Sequence, residues 1–431
     1  MKFKEHALRS ELTAEMNARP HASIPAPAHI SHIAVVTGEE TSEADLAHLS
    51  KLCQSFKVSA PSKSASQFDA DFGPFRLKWE RHTEFSAYTL IKTGPTDQPF
   101  KGTPITEVPE DWLAEMPGEL LTAVHIAIET EASPIREGAE LSGLFDNNNV
   151  VGGAIVDGRA TLWTDYQTHT DGFLRFLIRE SEMTAGSIGR LVKRICEMET
   201  YRMMAMLALP PAREARPHIA ELEQDLSDIL QTLASSDNGA DERSLLEHLS
   251  KVAAETERIS ASLNYRFSAS RAYQELVYQR IDGLRIERIL GLQPVTDYVI
   301  TRFAPAMETR DNLSRRIETL SRRVARASDL LRTRVDVALE AQNRDLLESM
   351  DRRARLQLRL QQTVEGLSVV AISYYLMGLL GYVVKGMDDM GLLPIDTEII
   401  MLSLLLPVIV AIWWGVHYLK NIILKTPTNK T

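Results

Sequence analysis

Cysteine is nearly missing from this 431-residue chain, which holds only Cys53 and Cys196. The two stand far apart and in no metal-ligand spacing, so a disulfide framework is not supported and reduced, cytosolic thiols are expected. A basic excess is missing as well. Lys and Arg number 48 against 58 Asp and Glu, a net charge of -10, so a nucleic-acid binder that works by neutralising phosphates is not expected. Residues 1–21 contain no apolar run of the length an export signal needs, and the polar part of the chain is expected to stay where it is made. Motifs of catalysis are also lacking. Gly152-Gly153 precede a strand pattern rather than a helix, which speaks against a phosphate loop. Ser181 and Ser187 sit in no Gly-x-Ser-x-Gly setting and have no base that spacing can pair with them. No enzymatic activity and no resident cofactor are expected.

What is present is concentrated at the C-terminal end. Gly366 to Val384 is a run of 19 residues without a charge, and Ile399 to Leu419 is a second apolar run. At 1.5 Å rise per residue each spans about 30 Å, the thickness of a bilayer's hydrocarbon core. Arg352, Arg353, Arg355 and Arg359 precede the first run, and Lys420, Lys425 and Lys430 follow the second. The connecting loop, 385–398, carries Asp388, Asp389, Asp396 and Glu398 against Lys385 alone. Positive charge stays inside, so both termini are expected in the cytoplasm of a bacterial cell, with a multi-pass anchor in its inner membrane. Trp413, Trp414 and Tyr418 suit an interfacial belt, and Pro407 should kink the second span.

Upstream, no proline or glycine occurs between Thr309 and Glu365. Leu313, Ile317, Leu320, Val324, Ala327, Leu331, Val335 and Ala338 recur mostly in steps of four and three, and Leu346, Met350, Ala354 and Leu358 carry a stripe onward. This is a heptad-like seam on one unbroken helix, which must pack on other helices or on copies of itself. The N-terminal half reads as mixed α and β. Strands are expected at His32–Thr37, Phe75–Arg81, Phe85–Lys92, Ala123–Glu129, Val150–Val156, Ala160–Asp165 and Phe173–Ile178. Helices are expected at Glu43–Phe56 and Glu110–Leu121, then along a stripe of Ile188, Leu191, Ile195 and Met198 ended by Pro210-Pro211. Further helices follow over Ile219–Leu233 and from about Asp241 to Leu290, before a break at Pro294. The fold class is thus an α+β cytoplasmic domain over 1–180, a helical hairpin region over 181–295, a stalk helix over 296–365, two transmembrane helices over 366–419 and a basic tail over 420–431.

This order, and the Lys385-Gly386-Met387-Asp388 at the end of the first span, resembles the CorA-type magnesium transporter superfamily over residues 310–425. That family places Gly-Met-Asn here after an aromatic residue; this chain has Asp388 for the Asn, Lys385 before the glycine, and its nearest aromatic at Tyr382. The segment MNARPH followed by PAHISHIAVV is also similar to an uncharacterised family of bacterial membrane-anchored proteins. The CorA resemblance implies a homopentamer whose first spans line a pore for Mg2+ or another divalent cation, with altered selectivity. Gly386, Met387, Asp388 and Asp389 would then shape the outer mouth. Five carboxylates would attract cations more strongly than amide carbonyls, yet repel one another. Glu365, Ser368, Ile372, Leu376 and Leu379 share the helical face that would line the pore, with packing against helices or lipid as the plain alternative. A membrane-anchored, non-conducting interaction or scaffold protein is the competing expectation.

Other polar groups carry weaker chemistry. His29 and His32, with His6 and His21 nearby, lack the carboxylate or thiol a transition-metal site would add. Asn17 to His21 reads as a proline-led entry to the domain. Asp146 to Gly153 lacks calcium-loop spacing and reads as a surface turn. Met198, Met203, Met204 and Met206 read as core filler, and Glu221, Glu223 and Asp225 as a solvated helix face.

Overall fold

The computed structural model describes residues 5–10, 12–13, 21–38, 42–95, 98–235, 242–390 and 396–425. Asn17–Pro20, residues 236–241, the middle of the acidic loop at 391–395, and Lys430 lie outside them. Two compact units emerge: Met1–Ser236 with Ser244–Asp329, and Asp237–Arg243 with Leu330–Thr431.

The first unit is built on one nine-stranded mixed sheet, ordered β2-β3-β4-β1-β5-β8-β7-β6-β9. The strands are β1 Ala28–Val36, β2 Gln67–Asp71, β3 Arg76–Arg81, β4 Phe85–Thr93, β5 Glu119–Glu129, β6 Val151–Ile155, β7 Ala160–Thr164, β8 Leu174–Glu180 and β9 Gln293–Pro294. Pairing is antiparallel except β5 with β8 and β6 with β9. The central strand β1 is buried along almost its whole length, because both faces of the sheet are covered. On one face Ile30, Ala34, Phe85, Val124 and Phe176 pack with Ile188, Leu191 and Ile195 of helix α4 (Ala185–Met206). On the other, Ile33, Leu77, Trp79 and Tyr88 pack with Leu49 and Leu52 of α1 (Ser42–Ser55) and Trp112 of α2 (Glu110–Ala114). The short α3 (Gly138–Leu144) adds to a smaller cluster around Phe145 and Leu177.

Thr184 caps α4 by accepting the Ser187 N–H at 3.2 Å. Gly189 lets this helix approach the entering chain so closely that a Cβ there would collide with the Ala22 carbonyl. Three helices follow, α5 (Leu209–Ser235), α6 (Glu242–Asp282) and α7 (Val295–Asp389). Their stripes are buried at Ile219, Leu222, Leu226 and Ile229, at Leu249, Val252, Ile259 and Leu263, and at Leu313, Ile317, Leu320 and Val324. The heptad seam of 313–331 is therefore covered within the protein. Arg310, 1% exposed, sits among these helices. Its guanidinium donates to Ser270 Oγ at 2.9 Å, Gln274 Oε1 at 2.7 Å and Asp311 Oδ1 at 2.8 Å, and Ser270 donates onward to the Ala205 carbonyl.

In the second unit, the part of α7 beyond Leu330 pairs with α8 (Thr397–Lys425). Ser373 and Val384 on α7 and Val408 on α8 are buried, and Met401 Cε lies 3.3 Å from where a Gly381 Cβ would stand. Both helices contain a stretch long and apolar enough to cross a membrane.

Several expectations are corrected. The helix expected over Glu110–Leu121 stops at Ala114, because Pro117 and Gly118 (φ +99°) turn the chain and Glu119 begins β5. Pro210-Pro211 do not end a helical region but occupy the first turn of α5, where no N–H is required. The helix from 241 ends at Asp282, not Leu290. Strands β2 and β9 and helix α3 had no expectation. The loop placed at 385–398 begins later, since α7 runs helically through Asp389; Gly386 alone costs a helix only about 1 kcal/mol.

Replacing Arg310 with Ala should lower stability by about 3 kcal/mol, because Asp311, Ser270 and Gln274 lose a buried partner. Thermal melts followed by circular dichroism should show a clear drop, whereas Arg322→Ala, at an exposed position, should melt like the parent.

Candidate functional site

The face expected to line a pore is present but unshared with α8. The seam of the helix pair passes through Ser373, Gly381 and Val384, and Ile372, Leu376 and Leu379 lie to one side of it, exposed. Ser368 Oγ donates to the Val364 carbonyl of its own helix at 2.8 Å, and Glu365 is half-buried. Gly386, Met387, Asp388 and Asp389 form the last turn of α7. Asp388 Oδ2 accepts from Thr397 Oγ1 at 2.9 Å, which ties the end of α7 to the start of α8.

His29 and His32 are offset by three positions along the strand and so point to opposite faces of β1. His29 Nδ1 lies 3.0 Å from the Pro99 carbonyl, whereas His32 is held by Thr89 Oγ1 at 2.9 Å and Thr200 Oγ1 at 3.1 Å. They cannot share a metal. The cavity beside His32, between the sheet and α4, is about 40 Å³, room for a water or two and for no organic substrate. Glu223 pairs with Arg316 at 2.8 Å, linking α5 to α7. Met198 and Met204 are fully buried. Gly152 and Gly153 allow close strand packing, since a Cβ on Gly153 would stand 2.9 Å from the Glu287 carbonyl.

A polar constellation that no spacing in the sequence reveals lies at the turn expected from Asp146 to Gly153. Asp146 and Asn147 adopt left-handed φ of 52° and 61°, a conformation that Asn and Asp tolerate. This corner brings Asp146 Oδ2 to within 2.7 Å of His169 Nδ1. The other ring nitrogen lies 3.0 Å from Asp165 Oδ2, and Asn148 donates to the same oxygen at 2.8 Å. Asp165 and His169 are buried side chains between strands β7 and β8. Arg175 spans Asp146 at 3.6 Å and Asp171 at 3.7 Å. Asp146 and Asp165 thus grip the buried His169 ring from both sides, so the network acts as a latch on the 165–173 loop.

Beside the latch, His125 stacks on Phe173 with ring centroids 3.9 Å apart. Its Nδ1 meets Ser31 Oγ at 3.0 Å and its Nε2 lies 3.9 Å from Asp171. The order Ser-His-Asp is that of a hydrolytic triad, but the geometry is not. Ser31 is 0% exposed, its oxygen already accepts the Ile105 N–H at 3.3 Å, and the carboxylate is too distant for a hydrogen bond. On the side of α1 that faces the sheet, Asp45 accepts from Ser86 of β4, its Oδ1 has no hydrogen-bond partner among the described residues, and burial raises its pKa.

Taken together, the chain defines an α/β body with a helical bundle and two terminal apolar helices. It belongs to the protein family described as "Protein of unknown function (DUF3422)", whose model matches residues 4–423. No curated protein and no solved structure matches it. The expected kinship with CorA-type magnesium transporters is corrected by this match, which identifies a different family over nearly the whole chain. The pentamer and the ion ring at Gly386, Met387 and Asp388 rested on that kinship; those residues lie in a helix, where a Gly-Met pair carries no family information. The similarity to an uncharacterised family agrees with the match.

Burial pushes His32 and His125 down from 6.5 to about 4. Both imidazoles stay neutral in the folded protein across a range where the unfolded chain takes up protons. Stability is therefore complete above pH 6.5 and lost as pH falls toward 4. The melting temperature should fall across this window, and His32→Gln should flatten the slope when melts are compared at pH 7, 6, 5 and 4.5.

Proposed function

We propose that this protein is a membrane-anchored interaction protein that assembles with copies of itself through its stalk and does not conduct ions. The observation that carries this reading is the condition of α7 between Arg332 and Val364. Here almost every residue is exposed, and Leu339, Leu346, Leu347, Met350, Leu358 and Leu360 are each between 53% and 68% accessible. Monomeric soluble proteins seldom leave so extended an apolar stretch uncovered, and helix-on-helix association is the cheapest way to bury it. The apolar segments of α7 and α8 support insertion as a two-span anchor in a bacterial inner membrane. Arg352, Arg353, Arg355 and Arg359 before the first span support a cytoplasmic stalk and body. Partners are then the bilayer, further copies and a cytoplasmic macromolecule that the α/β body engages.

Single-cysteine cross-linking tests this directly, because the native Cys53 and Cys196 are buried and burial holds both thiols above their ordinary pKa. Leu346→Cys and Leu358→Cys in native membranes should give disulfide-linked dimers under mild oxidation, while a cysteine at exposed Arg258 should not. Monomers alone at every stalk position would overturn the assembly. Proteoliposomes should show no Mg2+ or Co2+ flux above empty vesicles; protein-dependent flux would overturn the non-conducting reading.

A further inference from the structure

The latch around Asp165 has a neighbour that turns it into a site. The next residue, Tyr166, takes a left-handed φ of 52°, a conformation that strains a bulky side chain. The corner is held from both sides: Tyr166 N–H donates to Thr164 Oγ1 at 3.3 Å and Gln167 N–H to Asp165 Oδ1 at 3.2 Å. Its effect is to lay the Tyr166 ring against Tyr298 of α7, with centroids 5.0 Å apart and planes 11° from parallel. A guanidinium caps each end of this pair. Arg202 of α4 stands 5.6 Å from the Tyr166 ring, and Arg302 of α7 stands 4.4 Å from the Tyr298 ring.

Around this column lies a cavity of about 240 Å³, walled also by Met206, Val299 and Phe303. The two cations are not equivalent. Arg202 is neutralised, since its Nε and Nη2 both bind Glu199 Oε2 at 3.1 and 2.6 Å. Arg302 has no carboxylate partner among the described residues. Stacking engages only the face of its guanidinium and leaves the in-plane N–H fork unspent. That fork matches the paired oxygens of a carboxylate or phosphate, while Met206, Val299 and Phe303 offer an apolar wall to whatever bears it. We propose that this cavity binds a small organic anion, whose carboxylate or phosphate meets Arg302 and whose carbon skeleton lies against the apolar wall. The size suits a ring of six atoms with its acidic group and excludes a dinucleotide.

Titration calorimetry on the full-length protein in detergent tests the assignment with benzoate, phenyl phosphate and inorganic phosphate as probes. Saturable binding of benzoate or phenyl phosphate is expected, and the tighter of the two identifies the head group. Arg302→Gln should weaken it about tenfold or more, the loss of one charge-assisted fork. Arg322→Gln, exposed elsewhere on α7, should leave it unchanged. Arg302 is itself exposed, so its variant is expected to fold, and matching circular dichroism melts check this. Three results would each overturn the proposal: no saturable binding of either organic probe at millimolar concentration, equal binding by Arg302→Gln, or inorganic phosphate binding as tightly as phenyl phosphate. None of them bears on the cross-linking of the stalk.

Discussion

The guanidinium of Arg310 lies at the meeting point of three helices, and the first unit is organised around it. It reaches α6 through Ser270 and Gln274, and Ser270 reaches the end of α4 through the Ala205 carbonyl. A charge this deeply buried is costly to desolvate and is tolerated only when its donors are matched. The matching set comes from two residues of α6 and from Asp311 beside it, with Ser270 relaying the contact to α4. The arrangement therefore accepts one register of α7 against α6 and α4, and a slip by a turn would strand the charge. Because α4 also covers the sheet, that register propagates to the strands.

The sheet itself is buried on both faces, which is why polar side chains within it need internal partners. His32, Ser31, His125 and Asp165 each occupy a strand or strand end and each finds one. These contacts explain buried polarity without chemistry: Ser31 cannot be reached, and the cavity beside His32 admits only water. The latch differs, because it does more than satisfy its own members. By holding Asp165 it imposes a strained backbone on Tyr166, and strain that the surroundings must maintain is characteristic of sites with a task. The result is an open cavity with one unneutralised guanidinium, in a protein whose net charge is otherwise acidic.

Membership of a family of unknown function moves the weight of interpretation from kinship to physics. Long helices that enter an apolar hairpin are a solution open to any chain that must hold a polar body near a bilayer. Resemblance at that level identifies an architecture, and function has to be argued from sites. In this chain the apolar exposure of the stalk and the guanidinium-flanked cavity are the two features that the fold alone does not demand.

Seven of the nine strands, the helical stripes and the two apolar spans were legible as periodicity, because each reflects burial of a face set by local spacing. Their ends were less legible: Pro117 and Gly118 ended a helix that its stripe would have continued, and Gly386 failed to end one. The five-residue β2 alternates only at Phe68 and Ala70, too short a pattern to stand out, and the two-residue β9 is too short to carry any. The candidate site was invisible for a different reason. Asp146, Asp165, His169, Tyr166, Arg202, Tyr298 and Arg302 come from four distant stretches of chain, and no spacing joins them. Local sequence determined which segments are helix, strand or membrane-length, since those depend on neighbours within a few residues. Only the tertiary structure decided which charges meet, because that depends on how the sheet and helices bring remote segments to one place.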